Sequence, residues 1–292
     1  MKKNNLPRLV LFGDPKKGQV AKVIEEFRGF VKNKAQIVAA CDIEKCSIDV
    51  LRKVDFAVVF GGDGSIISAA RHLSQSAVPV IGVNLGKLGY LVEFSIDEIK
   101  KLFGRVTGRN APVDRRMMLN CKVFRKGEER FCSAALNDIF IAAGPPFKMV
   151  ELRIRVDGQS LAGCVSDGLV ISTPTGSTAY NLSAGGPIIS GRMEAVVIAP
   201  MCPHSLSFRP IVIGADSIVE VTGVSVNKGT TVSVDGQLSA RLFANDDVKV
   251  EKCKEHFLIV RNPARTQWDT LATKLSWAEK PRYAREGTET KG

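Results

Sequence analysis

The residues with the clearest chemical capacity are Gly61-Gly62-Asp63-Gly64-Ser65. They stand where a β-rich run, 54–60, stops and a helical pattern, 65–73, begins. Three glycines permit positive φ and let a ligand approach the backbone. Their N–H groups and the helix N-terminus can gather phosphate oxygens. A carboxylate inside an anion site repels phosphate, unless it accepts a proton from an attacking hydroxyl or helps to hold Mg²⁺. The competing expectation is that Asp63 caps the helix. A cap does not require three flanking glycines, so the chemical reading is preferred. A second cluster spans 167–188. Seven hydroxyl side chains, Ser172, Thr173, Thr175, Ser177, Thr178, Tyr180 and Ser183, fall within twelve residues. That density suits a neutral polar wall for sugar hydroxyls, bases and phosphates. The flanking runs 169–171 and 187–189 favour a buried loop over a Ser/Thr-rich linker.

Other motifs carry less. Gly13 and Gly18 have the spacing of a P-loop, but Gln19 and Val20 stand where Lys and Ser/Thr are needed. A glycine-rich turn is expected there. No G-x-G-x-x-G fingerprint and no G-x-S-x-G elbow occurs. His204 has no Asp/Ser arrangement around it and reads as structural, and His72 as exposed or partly packed. The cysteines at 41, 46, 121, 132, 164, 202 and 253 form no Cys-x-x-Cys pair. This argues against a disulfide framework and a zinc site, and for reduced thiols in a cytoplasmic protein.

These residues need elements to position them. Short apolar runs at 8–12, 36–40, 54–60 and 78–83 alternate with helical spacing at 19–31 and 65–73. This predicts an α/β unit with a parallel sheet. From about 114 the pattern changes. Residues 149–157 alternate apolar and polar, and Asp157-Gly158 and Asp235-Gly236 are tight-turn signals between β-rich runs. The expected organisation is an α/β nucleotide-binding domain over 1–113 and a β-rich, antiparallel, sandwich-like domain over 114–262. A C-terminal helix within 263–292, read at 268–277, returns to the first domain, and the tail from 279 is polar.

Composition sets the outer bounds. The 292 residues, 45% hydrophobic and 24% charged, suit a globular protein of two domains. No run reaches the length of a membrane helix, and the apolar stretch after the basic start is too short for a signal peptide. The net charge is +11. Residues 1–34 carry nine Lys/Arg against three acids, and 100–130 carry ten against three. Nucleic acid, anionic lipid or phosphorylated small molecules would suit such charge. With three Tyr and two Trp and no basic-aromatic interleaving, stacking on single strands is poorly supported.

Taken together, the chain resembles the NAD kinase family. The resemblance is carried by Gly61-Gly62-Asp63-Gly64, Asn84 to Leu91, Asn137-Asp138, Asp167 to Tyr180, Pro200 to Pro210 and Asp235-Gly236-Gln237, and runs from about 8 to 277. It implies a phosphotransferase that moves the γ-phosphoryl of ATP, or of another donor, to the 2′-hydroxyl of the adenosine ribose of NAD, with Mg²⁺ or another divalent cation on the triphosphate. Asp63 would accept the proton. Gly61, Gly62 and Gly64 would lie against phosphates, and Tyr90 beside the adenine. Asn137 and Asp138 would bind NAD. Asp167, Thr175, Thr178, Ala179, Tyr180, Asn181 and Ser183 would line the pocket, with Lys148 and Gln237 in reach of ligand. The family usually has Glu where Asp138 stands, and often basic groups at the places of Ser68 and Val165. No metal held by protein side chains alone is expected, and the family implies a homodimer or homotetramer. A lipid kinase of the same superfamily, a non-catalytic nucleotide sensor and a nucleic-acid-binding protein are the alternatives. A lipid kinase would require an apolar acyl groove.

Overall fold

The computed structural model describes residues 6–275 except 15, 17, 87 and 88. The first unit runs β1 (Arg8–Phe12), α1 (Gly18–Val31), β2 (Gln36–Cys41), α2 (Ile48–Leu51), β3 (Phe56–Phe60), α3 (Asp63–Leu73), β4 (Val80–Val83), α4 (Ile96–Val106) and β5 (Val113–Arg116). The chain continues through β6 (Leu119–Arg125), β7 (Glu128–Ala135), β8 (Asp138–Ala142), β9 (Val150–Val156), β10 (Gln159–Ser166), β11 (Gly168–Ser172) and α5 (Tyr180–Ser183). It closes with β12 (Ala195–Met201), β13 (Ile211–Gly214), β14 (Val219–Ser225), β15 (Thr231–Val234), β16 (Leu238–Arg241), β17 (Asp247–Lys252), β18 (Phe257–Val260) and α6 (Gln267–Leu275).

The first sheet has the order β2-β1-β3-β4-β18-β5. Strand β3, Phe-Ala-Val-Val-Phe, is buried at every position, as a central parallel strand covered on both faces must be. Helices α1 and α4 cover one face, where Phe27 meets Phe60 edge-on with ring centroids 5.4 Å apart. Helix α3 covers the other with Ile66, Ile67, Ala69, Ala70 and Leu73. The order reverses about β1, so the loops after β1 and β3 diverge at their carboxyl ends. Ligands bind in that crevice in open α/β sheets.

Two antiparallel sheets, β10-β9-β14-β17-β6-β7 and β13-β12-β11-β8-β15-β16, form the second unit. They pack face to face over one apolar core drawn from both. Strand β9 has the expected alternation, Val150, Leu152 and Ile154 inward against exposed Glu151, Arg153 and Arg155. Both Asp-Gly turns take the left-handed geometry of two-residue hairpins: Asp157 and Gly158 at φ 51° and 76°, Asp235 and Gly236 at 54° and 64°.

The sheet pairing corrects the expected boundaries. Strand β18 lies within 114–262 but pairs in parallel with β4, Ile259 against Val80, and antiparallel with β5. Strand β5 itself straddles 113/114. The chain therefore re-enters the first sheet before α6. The described part of the C-terminal helix is 267–275, and the tail expected from 279 lies outside the described residues.

Candidate functional site

Asp63 does not cap α3. It is the helix's first residue, and Gly62 is the N-cap, without a side-chain cap bond. The Asp63 carboxylate instead receives three backbone N–H groups from another loop. Tyr90 donates to Oδ2 at 2.9 Å, and Leu91 and Val92 donate to Oδ1 at 3.0 and 3.1 Å. A Cβ on Gly89 would sit 1.9 Å from Oδ1, so only glycine lets this loop close on the carboxylate. A carboxylate oxygen accepts about two hydrogen bonds. Oδ1 is filled, and Oδ2 keeps one lone pair.

The glycines serve approach rather than left-handed geometry. None of Gly61, Gly62 and Gly64 has positive φ. A Cβ on Gly61 would meet Ser65 Oγ at 2.3 Å, while one on Gly62 would meet nothing. With Gly13, Asp14, Asp42, Glu44, Ser68 and Leu85 they line a cleft of about 630 Å³ at the carboxyl ends of β1 to β4. The loop dismissed as a simple turn thus lends Gly13 and Asp14 to this wall. Gln19, at the P-loop lysine's place, donates to the Leu85 carbonyl at 2.9 Å.

On the other side of Asp63, Tyr90 and Leu91 open a second cavity of about 140 Å³ with Thr175, Thr178, Arg116, Gln267 and Trp268. Tyr90 Oη and Thr175 Oγ1 are buried there without a hydrogen-bond partner. Burial, and then the Asp63 carboxylate, push the Tyr90 phenol above its ordinary range. The participation of α6 went unseen in the sequence.

The hydroxyl-rich segment divides its labour. Ser172 Oγ donates to the Thr173 carbonyl at 3.0 Å, Thr173 to that of Leu136 at 2.6 Å and Ser177 to that of Pro174 at 2.7 Å, so these three build the loop. Asn181 is fully buried, its amide spent on the Ser177 and Pro187 carbonyls. Thr178 and Ala179 are half-buried, and Ser183 is exposed. Tyr180 meets Phe140 edge-on at 4.8 Å and is exposed. The segment packs on Asn137: a Cβ on Gly176 would fall 2.1 Å from the Asn137 carbonyl.

Asn137 and Asp138 are held from below by the buried Asp235, which accepts N–H bonds from Leu136, Asn137 and Asp138 at 3.0, 2.7 and 3.2 Å. Burial and the Asp235 carboxylate push the Asp138 carboxyl up to about 7, against a hydrogen bond from the Tyr180 backbone. Burial also raises Asp235, opposed by its three amide donors and by Arg71. Gln237 is exposed and donates to the Gly64 carbonyl at 2.9 Å.

Two expected residues stand apart. Asp167 precedes β11, whose other end, Ser172, pairs with Asp138. The span between them is five residues of strand, about 17 Å at ~3.3 Å per residue. Lys148 lies in the β8–β9 loop at that same far end, its carbonyl bound by Asn227. Val165 and His204 belong there too: the His204 N–H donates to the Val165 carbonyl at 2.9 Å, and both side chains are exposed. His204 is therefore not a packed structural residue.

A cleft at the sheet's switch point, a fixed carboxylate beside it and a polar pocket beyond suit an enzyme that brings a phosphorylated ligand to a second, polar substrate. Comparison with known proteins makes the class specific. The ATP-NAD kinase N-terminal domain model matches residues 22–110 and the C-terminal domain model 136–262. The NAD kinase of Rhodopirellula baltica is 36% identical over 272 residues, 93% of this chain and 87% of that protein. The NAD kinase of Geobacter sulfurreducens is 40% identical over 232 residues, 80% and 82% of the two chains. A crystal structure of yeast NADH kinase complexed with NADH superposes with a TM-score of 0.83 at 26% identity, over 97% of this chain and 91% of that one. The NAD kinase of Archaeoglobus fulgidus shares the fold, with a TM-score of 0.74 at 24% identity over 92% and 98%. The chain belongs to the NAD kinase family. None of these relatives supports the lipid-kinase alternative.

Proposed function

We propose that this protein phosphorylates the 2′-hydroxyl of the adenosine ribose of NAD, taking the γ-phosphoryl of ATP or another phosphoryl donor and yielding NADP. The observation that carries this reading is the position of Asp63 between two cavities. Its neighbours Gly62 and Gly64 line the larger cleft, and its hydrogen-bond partners Tyr90 and Leu91 line the smaller pocket. The donor phosphates would lie against Gly61, Gly62 and Gly64. The acceptor nucleoside would lie toward Tyr90, Thr175, Thr178 and the Asn137–Asp138 loop.

Phosphoryl transfer proceeds through a loose transition state, so the protein's work is to position groups and neutralise charge. Three amides fix Asp63 so that the remaining lone pair of Oδ2 orients the acceptor hydroxyl. Asp63 takes its proton late, as the bond to phosphorus forms. Among the described residues no group of three His, Cys, Asp or Glu converges to cage a metal. The donor set fits an ion carried on the triphosphate, with Asp14 or Asp42 of the cleft wall as supplementary ligands. Bound there, Mg²⁺ would neutralise phosphate charge. Thr175 and the half-buried Thr178 of the smaller pocket, with the exposed Tyr180 and Ser183, are the hydroxyls left for the ligand.

Asp167 and Lys148 lie about 17 Å along β11 from Asn137 of the same chain, and on this reading a second copy brings their counterparts to the nucleotide. This supports a homodimer or homotetramer. Exposed Leu206, Val212, Leu161 and Val165 give such contacts an apolar surface. All seven cysteines are free, which supports a reducing, cytoplasmic setting, and no helix among the described residues is long and apolar enough to cross a membrane. The test is direct: purified protein with Mg²⁺, ATP or polyphosphate as donor, and NAD or NADH as acceptor. NADP or NADPH is the expected product. No product from any pair would overturn the reading.

A further inference from the structure

Arg71 lies outside every motif described so far. It stands seven residues after Gly64 on α3, two helical turns on, so the two share a face. That face meets the Asp235-Gly236-Gln237 turn. The Arg71 guanidinium touches both ends of the turn. Nη2 donates to Gln237 Oε1, and Nη1 lies 3.5 Å from Asp235 Oδ2. The Arg71 side chain is 13% exposed and that of Asp235 is fully buried. Gln237 returns to the helix through the Gly64 carbonyl, and Asp235 holds the Asn137–Asp138 backbone.

We propose that Arg71 is a positioning residue for phosphoryl transfer, locking the start of α3, which carries Asp63, to the entry of β8, which carries Asn137 and Asp138. The inference rests on the assignment of Asp63 and Asn137 to the two sides of the reaction. The contacts form one closed path: Gly64, Gln237, Arg71, Asp235, then Asn137. Each end of the path is one residue or less from a group assigned to the reaction. An ordinary buried ion pair does not explain this arrangement. Asp235 already has three amide donors and does not need the guanidinium to satisfy its oxygens. Buried pairs are also weak sources of stability. What Arg71 adds is a planar guanidinium that hydrogen-bonds Gln237 through Nη2 while Nη1, buried without a hydrogen-bond partner of its own, holds its charge 3.5 Å from Asp235. Lysine, a point charge, does not reproduce such a planar group. Gln237, expected to reach ligand, is on this account a brace whose amide is committed to Gly64 and Arg71.

The prediction is a loss of alignment with little loss of binding. In the full-length enzyme, Arg71→Gln should lower kcat by about 10- to 100-fold, the scale of a misplaced reacting group. KM for NAD should stay within about threefold, because Asn137 and Asp138 remain. Arg71→Lys keeps the charge beside Asp235 and should recover only part of kcat. Gln237→Ala changes an exposed residue and leaves the buried pair intact, so it serves if Arg71→Gln folds poorly; it too should lower kcat more than it raises KM. The double variant should be no worse than Arg71→Gln alone, since the two act as one unit. Wild-type kcat in folded Arg71→Gln would overturn the proposal. So would multiplicative losses in the double variant, or a deficit that disappears once activity is normalised to folded protein. Asp63→Asn, assayed alongside, separates the two claims. Full activity there would remove the assignment on which Arg71 depends, whereas an inactive Asp63→Asn beside normal Arg71 variants would refute the role of Arg71 alone.

Discussion

The side chains of Asn137 and Asp138 are adjacent in sequence but differ in their physics. The Asn137 backbone is fully used, its N–H on Asp235 at 2.7 Å and its carbonyl on the Thr173 N–H at 2.8 Å. On the proposed function its side chain meets the ligand in both ground and transition states. Asn137→Ala should therefore raise KM for NAD, by about 1–3 kcal/mol of lost binding for an unpaired polar group, and leave kcat nearly unchanged; steady-state kinetics decides this. Asp138 is 3% exposed, and burial, with the Asp235 carboxylate, pushes its carboxyl up to about 7. In the unfolded chain an aspartate titrates near 3.9. Between about pH 4 and pH 7 the folded protein thus holds more protons than the unfolded one, and its stability falls as pH rises through that window. Asp138→Asn removes this contribution. Its melting temperature should decline less steeply with pH than that of the parent, and above pH 7 it should be the more stable protein. Parallel curves from thermal melts across the range would contradict the burial argument. The residual slope has contributions from Asp235 and Glu93, both raised by burial and present in both proteins.

At the scale of elements, close backbone approach governs. Gly176 faces the Asn137 carbonyl so tightly that Gly176→Ala must displace either the hydroxyl-rich loop or the Asn137 strand end. That variant should lose both stability and NAD affinity, read by thermal melts and by KM together. Helix α4 begins with a full capping box, Ser95 and Glu98 each bonded to the other's backbone N–H. Ser95→Ala should cost about 1 kcal/mol in urea unfolding, with activity unchanged. That box was readable in the sequence as Ser-x-x-Glu, yet α4 was not among the expected elements. Local chemistry elsewhere was legible: the two Asp-Gly turns, the alternation of β9, and the strand-to-helix passage at Gly61. The membership of β18 was not. Phe-Leu-Ile-Val reads the same in either unit, and only its pairing with Val80, far off in the chain, places it. The partners of Asp63 were hidden for a related reason, since backbone amides at 90–92 carry no sequence signature. Arg71 had a signal that a helical projection would expose, its i+7 relation to Gly64.

For the whole molecule, two units meet around one carboxylate. The first supplies the cleft and Asp63, and the second supplies Asn137, Asp138 and the hydroxyl-rich loop, with α6 closing the smaller pocket. On the proposed reading, Asp167 and Lys148 reach the Asn137 pocket from a second copy of the chain. Light scattering should find a dimer or tetramer, and a monomer with full activity would remove both residues from the site. The central claim remains the chemical role of Asp63. The measurement is the turnover and NAD affinity of Asp63→Asn with Mg²⁺ and ATP. The amide preserves the shape and removes the proton acceptor. The expected result is a fall in kcat of roughly 10²–10⁴, the range of a positioned acid or base, with NAD affinity nearly unchanged. Near-normal turnover with collapsed affinity would contradict the account and make Asp63 a binding residue.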